Sequence, residues 1–385
     1  MYLETGRGVP ALVGVLLVVS AVGAGAVAAA DTDGDRAEAG DDDLIDVSGW
    51  TAVAALLGGT VVLLASIELL IHALVQTAVR FGVSAFLLAV IFSGWEFDNV
   101  AFGLLTGFRE MQSVAFGLAI GNAVSIFGLT LALGALAFPF ATDVPTDYVV
   151  LLALAPFGLT PVLLSGSLTP ALGATFLLLY VVIFAYIVQR ERQLGHSFMQ
   201  STEVMESATA PDGEPGPVAS LPDPLRRVTG HDWFPPAVLV VAVAGVVIGA
   251  EGSAAGVEGI LETWDLTGTF VGVTFITLLF TIDDLFLILE PLRLGYTDVA
   301  VGGVVGSLLF FVTANVGIIG LVGEIQFRPE TVFFHFPALL LFAGLSGYLL
   351  SRGRLTRKHE AVLLVLYVLF LLVNVRFFAM VPVGE

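Results

Sequence analysis

The chain has 385 residues, 57% hydrophobic and 13% charged, with no cysteine and a formal charge of −19 from 34 acidic against 15 basic residues. Without cysteine there is no disulfide framework and no thiolate metal site, so any bound ion must rest on oxygen ligands. The basic residues include a single lysine, Lys358, and leave no stripe to neutralise phosphates, which argues against nucleic acid as a partner. An acidic, lysine-poor surface suits high salt, and a halophilic source is the expectation it raises.

The first apolar segment, Val9 to Ala30, follows Arg7 and finishes in "AVAAA". It reads as a secretory signal rather than a retained helix. The acidic stretch after it reads as a solvated linker, since Arg36 stands where a calcium loop needs glycine. Five apolar segments follow, near 50–75, 83–107, 113–138, 148–165 and 168–188. Beyond a polar, Pro-containing stretch come five more, near 235–252, 268–292, 297–322, 331–351 and 360–380. Most approach the ~20 residues that cross a bilayer as a helix. The predicted fold class is an all-α polytopic membrane protein, with ten transmembrane helices as two inverted five-helix repeats and an N-terminal signal-like segment. Its parts are a signal-like segment (1–30), an acidic linker (31–48), a first repeat (49–188), a loop (189–234) and a second repeat (235–385).

Arginine and lysine in the short connections set the orientation. If the first helix after the linker starts outside, Arg80, Arg190, Arg192, Arg226, Arg227, Arg293, Arg352, Arg354, Arg357 and Lys358 all fall in cytoplasmic segments. Few remain outside, among them Arg109 and Arg328, while the acidic segment from Glu251 to Asp265 faces out. The expected location is the cell membrane, multi-pass, with the central loop cytoplasmic. An odd number of helices per half makes the halves antiparallel.

A shift of 185 residues lays "VAFGLAIGN" (Val114–Asn122) on "VAVGGVVGS" (Val299–Ser307). Gly117 meets Gly302, Gly121 meets Gly306 and Asn122 meets Ser307, and the glycines read as close-packing positions. The same shift carries Glu96 onto Thr281, Asp98 onto Asp283 and Asn99 onto Asp284. Each intramembrane polar cluster, "GWEFDN" and "LFTIDD", thus belongs to one copy of an inverted repeat, and transporters built this way hold substrate where the copies meet. Spacings of three residues put Glu96 with Asn99, and Thr281 with Asp284, on roughly one helix face. Together they form an all-oxygen donor set suited to hard cations, sodium or calcium among them. Asp98 and Asp283 project about 100° away on an ideal helix, toward a second ion, a proton path or a polar neighbour. Asn122 and Ser307 either lean into the cage or make interhelical hydrogen bonds. Arg109 and Arg293 sit at hairpin ends as interfacial anchors, and His72 and His335 read as packing residues.

At these motifs the chain resembles the cation/calcium exchanger superfamily, which includes the sodium/calcium exchangers. In that family each repeat carries a G-T-S-x-P-E-like motif and, later, G-N-x-x-G-S. "GWEFDN" retains Gly94 and places Glu96, Asp98 and Asn99 at the serine, proline and acid positions. "LFTIDD" places Thr281, Asp283 and Asp284 there, and the later motif appears as "GLAIGN" from Gly117 and "GGVVGS" from Gly302. The chain departs by lacking both prolines and by carrying Ile126 and Phe311 where a further family ligand falls.

The resemblance implies a secondary antiporter, not an enzyme, that exchanges calcium for sodium by alternating access. It implies no cofactor, Ca2+ and Na+ as transported ligands, and small cations and the lipid bilayer as partners. Glu96 and Asp284 would be the charged ligands, with Asn99, Asn122, Thr281 and Ser307 as neutral donors. The alternatives are a cation/proton exchanger of the same fold, in which one of Glu96, Asp98, Asp283 or Asp284 titrates, and a non-transporting regulatory homologue. An intramembrane aspartyl protease is disfavoured by the absence of a G-x-G-D motif.

Overall fold

A computed structural model describes residues 47–80, 95–194 and 234–380. The signal-like segment and nearly all of the acidic linker lie outside the described residues, as does most of the central loop. In chain order the helices are α1 (Gly49–Arg80), α2 (Phe97–Phe108), α3 (Gln112–Ala137), α4 (Thr146–Ser165) and α5 (Pro170–Leu194). They continue as α6 (Phe234–Trp264), α7 (Gly268–Leu294), α8 (Thr297–Val322), α9 (Thr331–Ser351) and α10 (Arg357–Phe377). Among the described residues, every helix but α2 is long and apolar enough to cross a membrane. The chain is an all-α polytopic membrane protein, as helices satisfy their backbone groups internally where lipid offers no partner.

Three helices run further than their hydropathy predicts, α1 among them, which continues to Arg80. α5 continues through Arg190 and Glu191 to Leu194, and α6 continues through the acidic segment expected to be an outside connection. The extra turns of α6 are held by packing, because Gly256 and Gly259 lie directly against the start of α1. A Cβ at either position would collide with it. Only hydrogen side chains permit this approach.

Four two-residue strands link the halves: β1 (Phe140–Ala141), β2 (Ser167–Leu168), β3 (Ile325–Gln326) and β4 (Arg354–Leu355). β1, after α3, pairs antiparallel with β4, before α10. β3, after α8, pairs antiparallel with β2, before α5. This reciprocal pattern is what two halves related by a twofold axis produce.

α3 and α8 are buried along nearly their whole length, whereas α5 and α10 present residues such as Leu178, Val181, Val365 and Leu372 outward. One apolar cluster joins α3, α4, α5, α8, α9 and α10; a second joins α1 and α6 to α2 and the start of α7. α2, α3 and α7 contribute to both, so the polar clusters they carry sit between the two cores.

Candidate functional site

The first polar cluster sits at a helix start rather than within a helix. Glu96 has an extended backbone (φ −102°, ψ 91°), and its carbonyl accepts the first turn's bond from the Val100 amide. The shared face predicted for Glu96 and Asn99 therefore does not form. Glu96 turns toward α8, where Ser307 Oγ donates to its Oε1 at 2.5 Å. Asn99 turns toward α3, where Asn122 Nδ2 donates to its Oδ1 at 2.6 Å. Non-helical backbone at membrane depth is tolerated where protein surrounds it, and Glu96 is 5% exposed.

The second cluster lies on continuous helix, and there the expected face does form. Thr281 and Asp284 are both buried on α7. Thr281 donates back to the Thr277 carbonyl at 2.6 Å and shares a hydrogen bond with Ser125 at 2.9 Å. Ser125 in turn donates to the Asn122 carbonyl. α3 can lie this close to α7 because a Cβ at Gly121 would strike Thr277 and Val273.

Hydrogen bonds link Glu96 to Ser307, Asn99 to Asn122, and Asn122 through Ser125 to Thr281, across the starts and lengths of α2, α3, α7 and α8. The carboxyls of Glu96 and Asp284, from opposite halves, lie near enough for mutual repulsion. A positive charge, a proton or a metal ion, would offset the repulsion of two buried carboxyls this near each other. Asp284 Oδ2 and Asn122 Oδ1 are buried and have no hydrogen-bond partner among the described residues. Free, buried oxygen donors beside a carboxyl pair are the chemistry a hard cation requires.

Asp98 and Asp283 both lie near enough to that pair for mutual repulsion. Asp98 is buried at the first turn of α2 and accepts from Asn99 Nδ2 at 3.2 Å. Asp283 is exposed on α7 and lies near enough to Glu68 of α1 for mutual repulsion. Among the described residues no three of the Asp, Glu and His residues converge on one ion position. Any cation here would thus be held by the carboxyl pair and neutral oxygens.

Ser125 and Glu68 escaped the sequence analysis. Ser125 sits three residues after Asn122, a spacing that could have found it, and Glu68 is the one acid within the apolar span of α1. Arg109, expected as an interfacial anchor, instead pairs with Glu251 and with Glu258 (2.7 Å), both on the extended end of α6. His335 is fully buried, bonded through Nε2 to Asn374 at 2.7 Å and ringed by Phe334, Phe370 and Phe378. The side chain of His72 lies outside the described residues.

The family profile described as sodium/calcium exchanger protein matches residues 234–376. Inner membrane protein YrbG of Escherichia coli is 26% identical over 281 residues, 71% of this chain and 82% of that protein. Sodium/calcium exchanger MaX1 of Methanosarcina acetivorans is 26% identical over 136 residues, 35% of this chain and 39% of its own. Among solved structures, the sodium-calcium exchanger NCX_Mj soaked with 2.5 mM Na+ and 0.1 mM Ca2+ superposes with a TM-score of 0.52 at 16% identity. That match covers 85% of this chain and 98% of the solved one, and it shows a common fold.

Proposed function

We propose that the chain is a member of the cation/calcium exchanger superfamily and acts as a secondary antiporter exchanging calcium for sodium across the membrane. The observation that carries this reading is the carboxyl pair of Glu96 and Asp284, one from each half, beside the unpartnered oxygens of Asp284 and Asn122. In this reading Glu96 and Asp284 neutralise the cation, and Asn99, Asn122, Thr281 and Ser307 replace part of its hydration shell. Binding sodium or calcium at one site, open alternately to either face, couples their gradients without any covalent step. The central loop and the α9–α10 turn face the cytoplasm, the side favoured by their arginine and lysine.

A second reading, cation/proton exchange, draws on the same carboxyl pair. A proton shared between two neighbouring carboxyls would offset their repulsion as a cation does, and a cation entering the pair would displace it. Purified protein in liposomes, assayed for calcium-tracer uptake against sodium and proton gradients separately, decides between them. Uptake driven by outward sodium alone supports sodium/calcium exchange, and uptake driven only by outward protons selects the second reading. A protein that binds calcium at equilibrium yet moves none under either gradient is a non-transporting homologue.

A further inference from the structure

Two buried polar side chains lie outside this site, eight residues beyond Asn122 and Ser307 on the same helices: Thr130 on α3 and Asn315 on α8. The 185-residue shift that aligns Asn122 with Ser307 also aligns Thr130 with Asn315. Both are almost completely buried, and neither Thr130 Oγ1 nor Asn315 Oδ1 has a hydrogen-bond partner among the described residues.

That is unusual for a threonine inside a helix here. Thr60, Thr106, Thr281 and Thr313 all donate to the carbonyl four residues back, the usual resort of a hydroxyl in an apolar helix. Thr130 does not. It lies in a π-helical stretch, Ile126–Leu131, and Asn315 closes the equivalent one, Phe310–Asn315. Such wide turns shift the side chains after them around the helix, and they recur at functional sites. A purely packed position would be served by an apolar residue of the same size.

The two positions flank the carboxyl pair on opposite sides. Asn315 lies against Gly103 of α2, where a Cβ would be 3.6 Å from its Oδ1. Gly103 is one turn past Asn99, about 6 Å along the helix axis. On the other side Gly134, one turn past Thr130, lies against Ile288 of α7, one turn past Asp284. α2 and α7 run in opposite directions, since Arg109 at the end of α2 pairs with the last turns of α6 and Gly268 at the start of α7 lies against Ser113. Moving past Asn99 therefore leads toward one face, and moving past Asp284 leads toward the other.

We propose that Thr130 and Asn315 are paired relay ligands, each offering one oxygen to a partly hydrated hard cation passing between the Glu96–Asp284 site and one membrane face. The inference rests on the transport reading above. It assigns Asn315 to the face where α2 ends and Thr130 to the opposite face.

The test uses the full chain in liposomes, with Thr130→Val and Asn315→Leu compared with wild type for sodium-driven calcium-tracer flux as calcium is titrated on each face in turn. Each variant should raise the half-saturating calcium concentration on its own face by about fivefold, the size of one lost oxygen contact, and leave the other face unchanged. Equilibrium calcium binding in detergent should stay at the wild-type value. Thr130→Ser should restore normal flux, which a change in packing alone would not achieve. If a larger side chain blocks insertion, Thr130→Ala and Asn315→Ala remove the oxygens without added bulk and carry the same expectation. Wild-type half-saturation on both faces, an equal shift on both, or a parallel loss of equilibrium binding overturns the relay. A wild type that moves no cation overturns the transport reading and the relay with it, whereas an active wild type with unaffected variants overturns the relay alone.

Discussion

Asp284→Asn is the substitution on which the proposed cation site depends most directly. It keeps the size of the side chain and removes one of the two neighbouring buried carboxyls of the proposed site. The new amide can donate to Glu96, and Asp284 Oδ2 has no partner to lose among the described residues, so the helices should still assemble. The cost falls on the cation. Removing one charged partner from a buried ion pair costs about 3–5 kcal/mol, roughly a hundred- to several-thousand-fold in affinity. Equilibrium calcium-tracer binding should weaken by that factor, and sodium-driven flux in liposomes should fall to background. The elution profile on size exclusion should match that of wild type. Equal flux in variant and wild type at matched protein density would remove Asp284 from the mechanism, and with it the cage.

Asn99→Asp adds a third carboxylate where Asn122 Nδ2 already donates at 2.6 Å, so the variant should retain calcium binding and lose competition by sodium. Unchanged sodium competition in a tracer-binding assay would place Asn99 outside the ion's reach. Gly249→Val should abolish folded protein, because its side chain would enter the backbone of α1, whereas Gly58→Ala, which faces open space, should be silent. Yield and monodispersity in detergent measure both, and a well-behaved Gly249→Val protein would contradict the α1–α6 packing. A cysteine at the exposed position 358 should resist impermeant reagents added outside intact cells and react once the cells are opened, and labelling from outside would invert the orientation.

The helices were legible because apolar runs of membrane length have few alternatives, and the internal repeat was legible because Gly117, Gly121 and their partners keep fixed spacing. The end of α6 was not. Its acidic residues read as a connection, whereas the approach of Gly256 and Gly259 to the start of α1 and the pairing of Arg109 with Glu251 and Glu258 hold it as helix. The two polar clusters were legible as acids and amides inside apolar runs, but the helical spacing that grouped Glu96 with Asn99 misplaced Glu96 on a helix that begins one residue later. Hydropathy does not register where a backbone leaves the helix. Thr130 and Asn315 went unremarked because threonine and asparagine are ordinary in transmembrane helices, and what distinguishes them is the hydrogen bond they fail to make.

The two halves share a scaffold but not a donor at each position. At equivalent places Glu96 faces Thr281 and Asn99 faces Asp284, so each half contributes one member of the carboxyl pair from a different rung. A helical Glu96 would extend from the side of α2; the extended backbone at the helix start instead frees it to reach Ser307 and Asp284 across the interface. Thr281, tied to its own helix and to Ser125, occupies the matching rung without charge. The pair thus bridges the halves along a diagonal. On the proposed reading, a movement of α2 against α7 would stretch that diagonal, and a bound cation would oppose it. The two cores meet at α2, α3 and α7, so the diagonal lies where a change at the proposed site would be felt by both.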